Sequence, residues 1–245
     1  MGAGKLPLLA QVIFAKAYHQ KLIGIFGRSS ITALWGLLET AGTTAYDLVS
    51  GRNGAYSGVA LANTTGPRGR PAPLWDGVND TCNVYSAALA SAFSPGSGTL
   101  LIWCKVYNVG VWSDSTNDFA FQVGADNTSN YVRIIKTSTA SRMQGSHVAG
   151  GTAKSVSTDV SSNPNWFLYA ITWDKEVDQV KVYYNGVQSG ATQTGLGIWS
   201  GSLGSNSCAI GAQSGGGSQP WNGWLAYALL LNRAASAVEI SKAYA

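Results

Sequence analysis

Ala209-Ile210-Gly211-Ala212-Gln213 is followed by a Gly/Ser/Gln/Pro tract and then by Trp221-Asn222-Gly223-Trp224-Leu225-Ala226-Tyr227-Ala228-Leu229-Leu230-Leu231. The chain then closes on Asn232-Arg233-Ala234-Ala235-Ser236-Ala237-Val238-Glu239-Ile240. The order predicts a strand, a Gly-rich loop, a long apolar strand and a short terminal helix. Ser236 with Glu239 three residues on is a capping box: the Ser hydroxyl can accept from the Glu amide, and the Glu carboxylate can return to the Ser amide.

Working back along the chain, further segments read as strands. Gly98-Thr99-Leu100-Leu101-Ile102-Trp103-Cys104-Lys105-Val106-Tyr107 is a buried strand. Phe119–Val123 and Tyr131–Lys136 show partial alternation. Asn165-Trp166-Phe167-Leu168-Tyr169-Ala170-Ile171-Thr172-Trp173-Asp174 and Val180-Lys181-Val182-Tyr183-Tyr184 form a hairpin pair that turns again at Asn185-Gly186, since both residues tolerate positive φ. Near the start, Ala33-Leu34-Trp35-Gly36-Leu37-Leu38-Glu39 enters a Gly42-Thr43-Thr44 turn, with a second turn at Arg52-Asn53-Gly54. Trp35, Trp103, Trp166 and Trp173 are expected in the core.

Composition agrees with an all-β reading. Only 11% of the 245 residues are charged, 30 are Gly, and 9 Trp and 11 Tyr stand beside 2 Met. That is the make-up of short strands joined by polar turns, with aromatic fill between sheets. The net charge of +4 is thinly spread. Arg68 and Arg70 in a Pro/Gly turn are its densest spot, and no basic stripe with interleaved aromatics argues for nucleic acid. No stretch of about 18 apolar residues exists to span a membrane. Cys82, Cys104 and Cys208 are odd in number and lack metal spacing; Cys104, inside an apolar strand pattern, reads as a small core residue, with a Cys82–Cys104 bridge as the alternative.

Residues 6–26 are read as a retained, largely helical arm. The apolar run from Leu6 to Phe14 imitates a signal peptide, but Gln11 breaks it and it is short. Leu9, Val12, Ile13, Tyr18, Leu22 and Phe26 recur at spacings of three and four. Such a segment should pack on its own β domain or anchor a neighbouring subunit. The expected organisation is an arm over residues 1–30 and one β domain over residues 31–245.

Four segments in order carry a family resemblance: the Trp35 strand with its Gly-Thr-Thr and Asn-Gly turns, Leu74-Trp75-Asp76-Gly77-Val78-Asn79-Asp80, the Trp166–Gly186 hairpin, and the closing strand with its helix. Together they resemble the concanavalin A-like, laminin-G-like jelly roll family, of the kind found in phage virion proteins and bacterial surface proteins. The resemblance implies a two-sheet antiparallel jelly roll sandwich with an N-terminal helical arm and a short C-terminal helix. It also implies surface or glycan binding ahead of catalysis. Ala226 and Tyr227 stand where the family often places acidic residues, which weakens an inherited ion site.

Candidate chemistry is sparse. Glycosidase relatives need a converging carboxylate pair. The only partial match, Glu176-Val177-Asp178-Gln179-Val180-Lys181, puts Lys181 where a second Glu belongs. His19 and His147 are the only histidines, and no Gly-x-Ser-x-Gly elbow is present. No cofactor is expected, with calcium as the alternative. Its candidate ligands are Asp76, Asn79 and Asp80, with a second cluster at Asp114, Asn117 and Asp118, against the reading that such residues cap turns. Trp112, Trp199 and Trp221, each beside a loop, are the candidate glycan contacts, weighed against packing on the sandwich rim.

The functional expectation is a non-catalytic virion structural or adhesive subunit: a capsid decoration, tail or fibre-associated protein that contacts host glycans. It would sit in a homo-oligomer or larger assembly, joined to other subunits through the arm. A secreted or displayed lectin-like module is the alternative, and a glycoside hydrolase of the same fold ranks third.

Overall fold

The computed structural model describes residues 18–245. Residues 18–26 are helical (α1), as read from the arm; Leu9, Val12 and Ile13 lie outside the described residues. The chain then forms β1 (Ile31–Trp35), β2 (Thr44–Ala45), β3 (Gly54–Ser57), β4 (Ala60–Thr65), β5 (Pro71–Asp76) and β6 (Thr81–Asn83). A short helix α2 (Ala87–Ala92) leads to β7 (Ser97–Val106), β8 (Asp118–Gly124), β9 (Tyr131–Lys136), β10 (Arg142–Ala149) and β11 (Thr152–Asp159). The last part holds β12 (Phe167–Asp174), β13 (Gln179–Tyr184), β14 (Val187–Gln193), β15 (Ala209–Ile210), β16 (Asn222–Leu231) and α3 (Ala237–Tyr244).

These strands make two eight-stranded sheets. The first runs β14-β13-β12-β7-β16-β5-β4, with β1 also on β16; the second runs β11-β10-β9-β8-β15-β6-β3-β2. The long β16 changes neighbour part-way: Asn222–Trp224 pair with β5, and Ala228–Leu231 pair with β1. A bulge lies between Ala226 and Leu229, and Tyr227 takes a φ of 49° there.

The central strands of the first sheet, β1, β7, β12 and most of β16, are buried on both faces, which is why they read as near-continuous apolar runs. On β7, Leu100, Ile102 and Cys104 point between the sheets, where they meet Trp35, Trp75, Phe121 and Trp173. Leu101 and Trp103 point the other way, into a second apolar layer with Leu229, Leu231, Tyr18, Leu22, Phe26, Ile240 and Ala243. Helices α1 and α3 therefore cover the outer face of this sheet. Trp35, Trp103 and Trp173 are buried as expected, whereas Trp166 is half-buried and donates to the Thr65 carbonyl (3.3 Å). Cys82, Cys104 and Cys208 are buried free thiols, so the Cys82–Cys104 bridge is not formed.

The described part of the arm is bound to its own domain. The Tyr18 hydroxyl donates to the Ala243 carbonyl (2.8 Å) and accepts from Trp103 Nε1 (2.9 Å). Its ring meets Tyr227 edge-on at 4.7 Å. Thus one of the positions where an acidic residue was looked for holds an aromatic that seats the helix. Arg68 lies over the Tyr18 and Trp103 rings, so the densest basic spot of the sequence is part of this packing. Arg233 ties the two helices together, pairing with Glu239 (2.6 Å) and donating to the Phe26 carbonyl (2.9 Å). The Ser236–Glu239 capping box forms as read.

Tyr18→Phe would leave the buried Trp103 N–H and Ala243 carbonyl without this partner. We expect a loss of about 1–3 kcal/mol in urea denaturation. An unchanged midpoint would mean that the arm is not held by this hydroxyl.

Candidate functional site

The second sheet presents a different outer face. Residues directly opposite each other in antiparallel strands share a face, and the register of this sheet aligns Ala55, Asn83, Ala209, Gln122, Arg133, Ser146 and Ser155 in one row. Their neighbours along the strands, such as Cys82, Phe121, Val123, Val132 and Ile134, turn into the core. The row is therefore the outer side: Ala55 and Ser155 at its ends are exposed, Asn83 and Arg133 are half-buried, and Ala209, Gln122 and Ser146 are buried.

Over this row lies a hollow of about 430 Å³. Its floor includes Gln122, Tyr131 and Arg133, and its walls come from the loops carrying Asp126, Asn206 and Gln213. The walls are tied in place. Asp126 accepts from the Asn206 amide (3.0 Å), and Gln122 Nε2 donates to the Gln213 carbonyl (2.8 Å). Asn83 Nδ2 donates to the Ser205 carbonyl (3.2 Å), and Ser155 Oγ donates to Ser146 Oγ (2.9 Å).

Arg133 is the centre of this surface. Its guanidinium carbon lies 4.6 Å from the Tyr131 ring centroid and 5.2 Å from that of Phe119. Two rings thus hold the fork flat, which removes much of its rotamer freedom before any ligand arrives. The buried Nε has no hydrogen-bond partner, and Arg133 makes no ion pair among the described residues. Burial pulls its pKa below the usual arginine value; the group remains cationic at neutral pH. An oriented cation among amide and hydroxyl groups, with an aromatic edge, suits a polar, oxygen-rich ligand.

The structure corrects the aromatic candidates. Trp112 is 1% exposed, donates to the Asn163 carbonyl (2.9 Å) and packs on Phe167; Trp221 is fully buried and donates to the Lys105 carbonyl (3.3 Å). Neither indole can stack on a ligand. Trp199 is half-buried, lies 5.2 Å from Phe93 and donates to the Gly201 carbonyl (3.0 Å). The three are not brought together into one surface.

The calcium candidates also resolve into local structure. Asp80 accepts from the Asp76 amide (2.9 Å) and Asp76 from the Val78 amide (2.8 Å), while burial raises the Asp80 pKa. A Cβ at Gly58 would lie 2.1 Å from Asp80 Oδ1, so that carboxylate is wedged against backbone. The carboxylates of Asp76 and Asp80 are thus engaged by backbone amides of the turn itself. At the second cluster the positive charge comes from the chain itself. Lys136, 1% exposed, pairs with Asp114 and with Asp118 (3.4 Å), and donates to the Thr116 carbonyl (3.0 Å). Asn117 accepts the Ser138 amide (2.8 Å). In the Glu176–Lys181 segment, Asp178 accepts the Gly195 (2.7 Å) and Leu196 (2.8 Å) amides and so latches a loop.

Residues 76–241 match the sequence model of the concanavalin A-like lectin/glucanases superfamily. The chain belongs to that superfamily. No curated protein sequence matches it. Among solved structures, the binding domain of botulinum neurotoxin serotype D is 14% identical, with a TM-score of 0.62 over 89% of this chain and 52% of that one. The chain thus spans about half the length of that toxin fragment. Domain 4 of AbnA, an extracellular arabinanase of Geobacillus stearothermophilus solved with arabinotriose, is also 14% identical, with a TM-score of 0.62 and coverages of 88% and 98%. The CBM40 domain of the Ruminococcus gnavus IT-sialidase is 15% identical, with a TM-score of 0.57 and coverages of 71% and 96%. At these identities the likeness shows the fold.

On this lectin/glucanase sandwich, reading by segment missed the face that carries the Arg133 hollow. Arg133 and Gln122 were placed on strands, but nothing local marks them as neighbours. A second aromatic surface was missed too. Trp224 stacks on Tyr107 at 5.5 Å, with Lys105 5.0 Å from the indole, on the outer face of the first sheet where β7 and β16 pair. The alternation Lys105-Val106-Tyr107 was a usable signal for that one.

Proposed function

We propose that the chain is a non-catalytic adhesive subunit that binds glycan on the open face of its second sheet. The observation that carries this reading is Arg133: a cation pinned between two rings, without an acidic partner among the described residues, at the floor of a polar hollow. Amide, hydroxyl and guanidinium donors beside a ring edge are the groups that recognise sugar hydroxyls and carboxylates. That AbnA domain 4 was solved with arabinotriose and the CBM40 domain also with α2,3-sialyllactose supports carrying sugar binding over to this sandwich.

Lack of catalysis is part of the proposal. The hollow over Arg133 is lined by one carboxylate, Asp126, and that one is engaged by Asn206. Glycoside hydrolysis needs two carboxylates across one bond. A different pair, Asp114 and Asp118, does line a hollow of about 420 Å³. Lys136 bridges the two carboxylates, and Asp118 is 4% exposed, so the pair is tied into the fold.

The setting we propose is a virion, as a decoration, tail or fibre-associated protein, with a secreted or displayed lectin-like module as the alternative. The described apolar residues of the arm, Tyr18, Leu22 and Phe26, serve their own sheet and leave anchoring of a neighbour without support from them. A broad glycan array tests the binding reading. Binding to a chemically related set of glycans is expected. Silence across neutral and acidic glycans alike would end it.

A further inference from the structure

We propose that a small cavity at the end of the sandwich, apart from the Arg133 face, binds a short organic acid. Lys175 and His147 hold its carboxylate, and an apolar, aromatic wall covers its body. Such a site goes beyond the glycan reading and does not depend on it.

The cavity holds about 170 Å³ and is lined by His147 and Lys175 with Pro95, Ala149, Ile198 and Trp199. Among the described residues, Lys175 is the only charged one that lines it. His147 follows the outward-facing Ser146 on β10, so its ring turns between the sheets, where it is 2% exposed. Neither ring nitrogen has a hydrogen-bond partner. A buried polar group without a partner costs free energy, and such groups in native proteins nearly always meet one. The Trp173 ring, 6.1 Å away, and the Trp199 ring, 6.4 Å away, flank the imidazole. The Lys175 ammonium donates to the Leu196 carbonyl and has further N–H groups to offer. Asp178, 3.9 Å from that ammonium, does not line the cavity and is held by the Gly195 (2.7 Å) and Leu196 (2.8 Å) amides. The loop that carries Ile198 and Trp199 is seated tightly on the end of β10: a Cβ at Gly197 would lie 1.8 Å from the Ala149 carbonyl oxygen.

These features select the ligand. A carboxylate needs a single N–H from the imidazole, and the ammonium supplies the opposite charge. The ring carries at least one N–H whether neutral or protonated. With neither nitrogen engaged elsewhere, the tautomer can place that hydrogen on the nitrogen that faces the cavity. An ammonium ligand would meet Lys175 as a like charge. Phosphate or sulfate would leave most of its oxygens against apolar walls, where unpaired polar atoms are costly. A wholly apolar guest would leave the imidazole without a partner. Since an apolar cavity of about 150 Å³ takes a benzene, an acid of about four to six carbons fits this one. Its hydrocarbon part would lie against Trp199, Pro95 and Ile198.

With only two histidines in the chain, imidazole ¹⁵N spectra separate His147 from His19. The experiment titrates the whole protein with butyrate and with benzoate at fixed pH and ionic strength, with butyramide as the uncharged control. The expected result is a saturable shift of the His147 ring nitrogens by at least one acid, with His19 unmoved and no saturable response to butyramide. Lys175→Met should weaken acid binding about tenfold or more, as loss of a charge-assisted contact does. Arg133→Ala should keep the wild-type response whatever becomes of glycan binding, which separates this site from the sheet face. If Lys175→Met does not fold by circular dichroism, the contrast between acid and amide on the wild type carries the test. A His147 signal unmoved by both acids would mean that internal water alone meets these nitrogens. That result would overturn the proposal, as would an equal response to butyramide, a folded Lys175→Met that binds like wild type, or a response lost in Arg133→Ala.

Discussion

Replacing Lys136 by Met is expected to lower the unfolding free energy by about 3–5 kcal/mol, the usual cost of leaving a buried charge without its partner. The reasoning is local. Lys136 is 1% exposed and stands opposite Asp118, whose side chain is 6% exposed and whose pKa burial already raises. Asp114 is the more exposed partner, and the contacts with Lys136 and Thr116 hold its pKa below the usual value even though burial acts the other way. Without the ammonium, Asp118 must be buried charged, or must take up a proton, and either costs stability. A rescue distinguishes this from a packing defect. Asp118→Asn added to Lys136→Met removes the stranded charge and should recover most of the loss. Urea denaturation of the two variants reads both effects. A single variant within about 1 kcal/mol of wild type would mean that the triad is solvated and unimportant. Because Lys136 supplies the cation here and the Asp76–Asp80 turn is locally satisfied, chelation with EDTA should leave the wild-type melting temperature unchanged.

The second large effect concerns Arg133. Truncation to Ala should weaken binding of an array-positive glycan by about 10- to 100-fold, the worth of a charge-assisted contact of about 1.5–3 kcal/mol. Stability should change little, because Arg133 lies on the outer face and forms no ion pair among the described residues. Arg133→Lys should behave more like the Ala variant than like wild type. A lysine keeps the charge but not the flat fork that Tyr131 and Phe119 hold.

The difference between what the sequence showed and what it hid is physical. Sandwich architecture is written in local patterns: the apolar runs of β7 and β12, the Asn185-Gly186 turn, and the Ser236–Glu239 cap each depend on residues a few positions apart. Family membership followed from the order of such segments. The proposed binding face depends instead on register between strands distant in sequence. Asn83, Ala209, Gln122 and Arg133 meet only after β6, β15, β8 and β9 have paired. Lys136 ended an apolar strand pattern, and the two carboxylates it pairs with come from an earlier loop and strand. Trp112 and Trp221 were misplaced for a related reason. Each borders a loop in sequence, but loop proximity does not say which way a ring points, and both indoles are drawn inward by carbonyl partners. The cavity at His147 was equally hidden, since its walls come from β10, the β12 turn and the loop at Gly197–Trp199.

Titration calorimetry of wild type and Arg133→Ala with one array-positive glycan, alongside their thermal melts, tests the assignment of the open sheet as the binding surface. The account predicts at least about a tenfold loss of affinity at an essentially unchanged melting temperature. Equal affinity for the two proteins, with both fully folded, would contradict it and move the glycan to another surface.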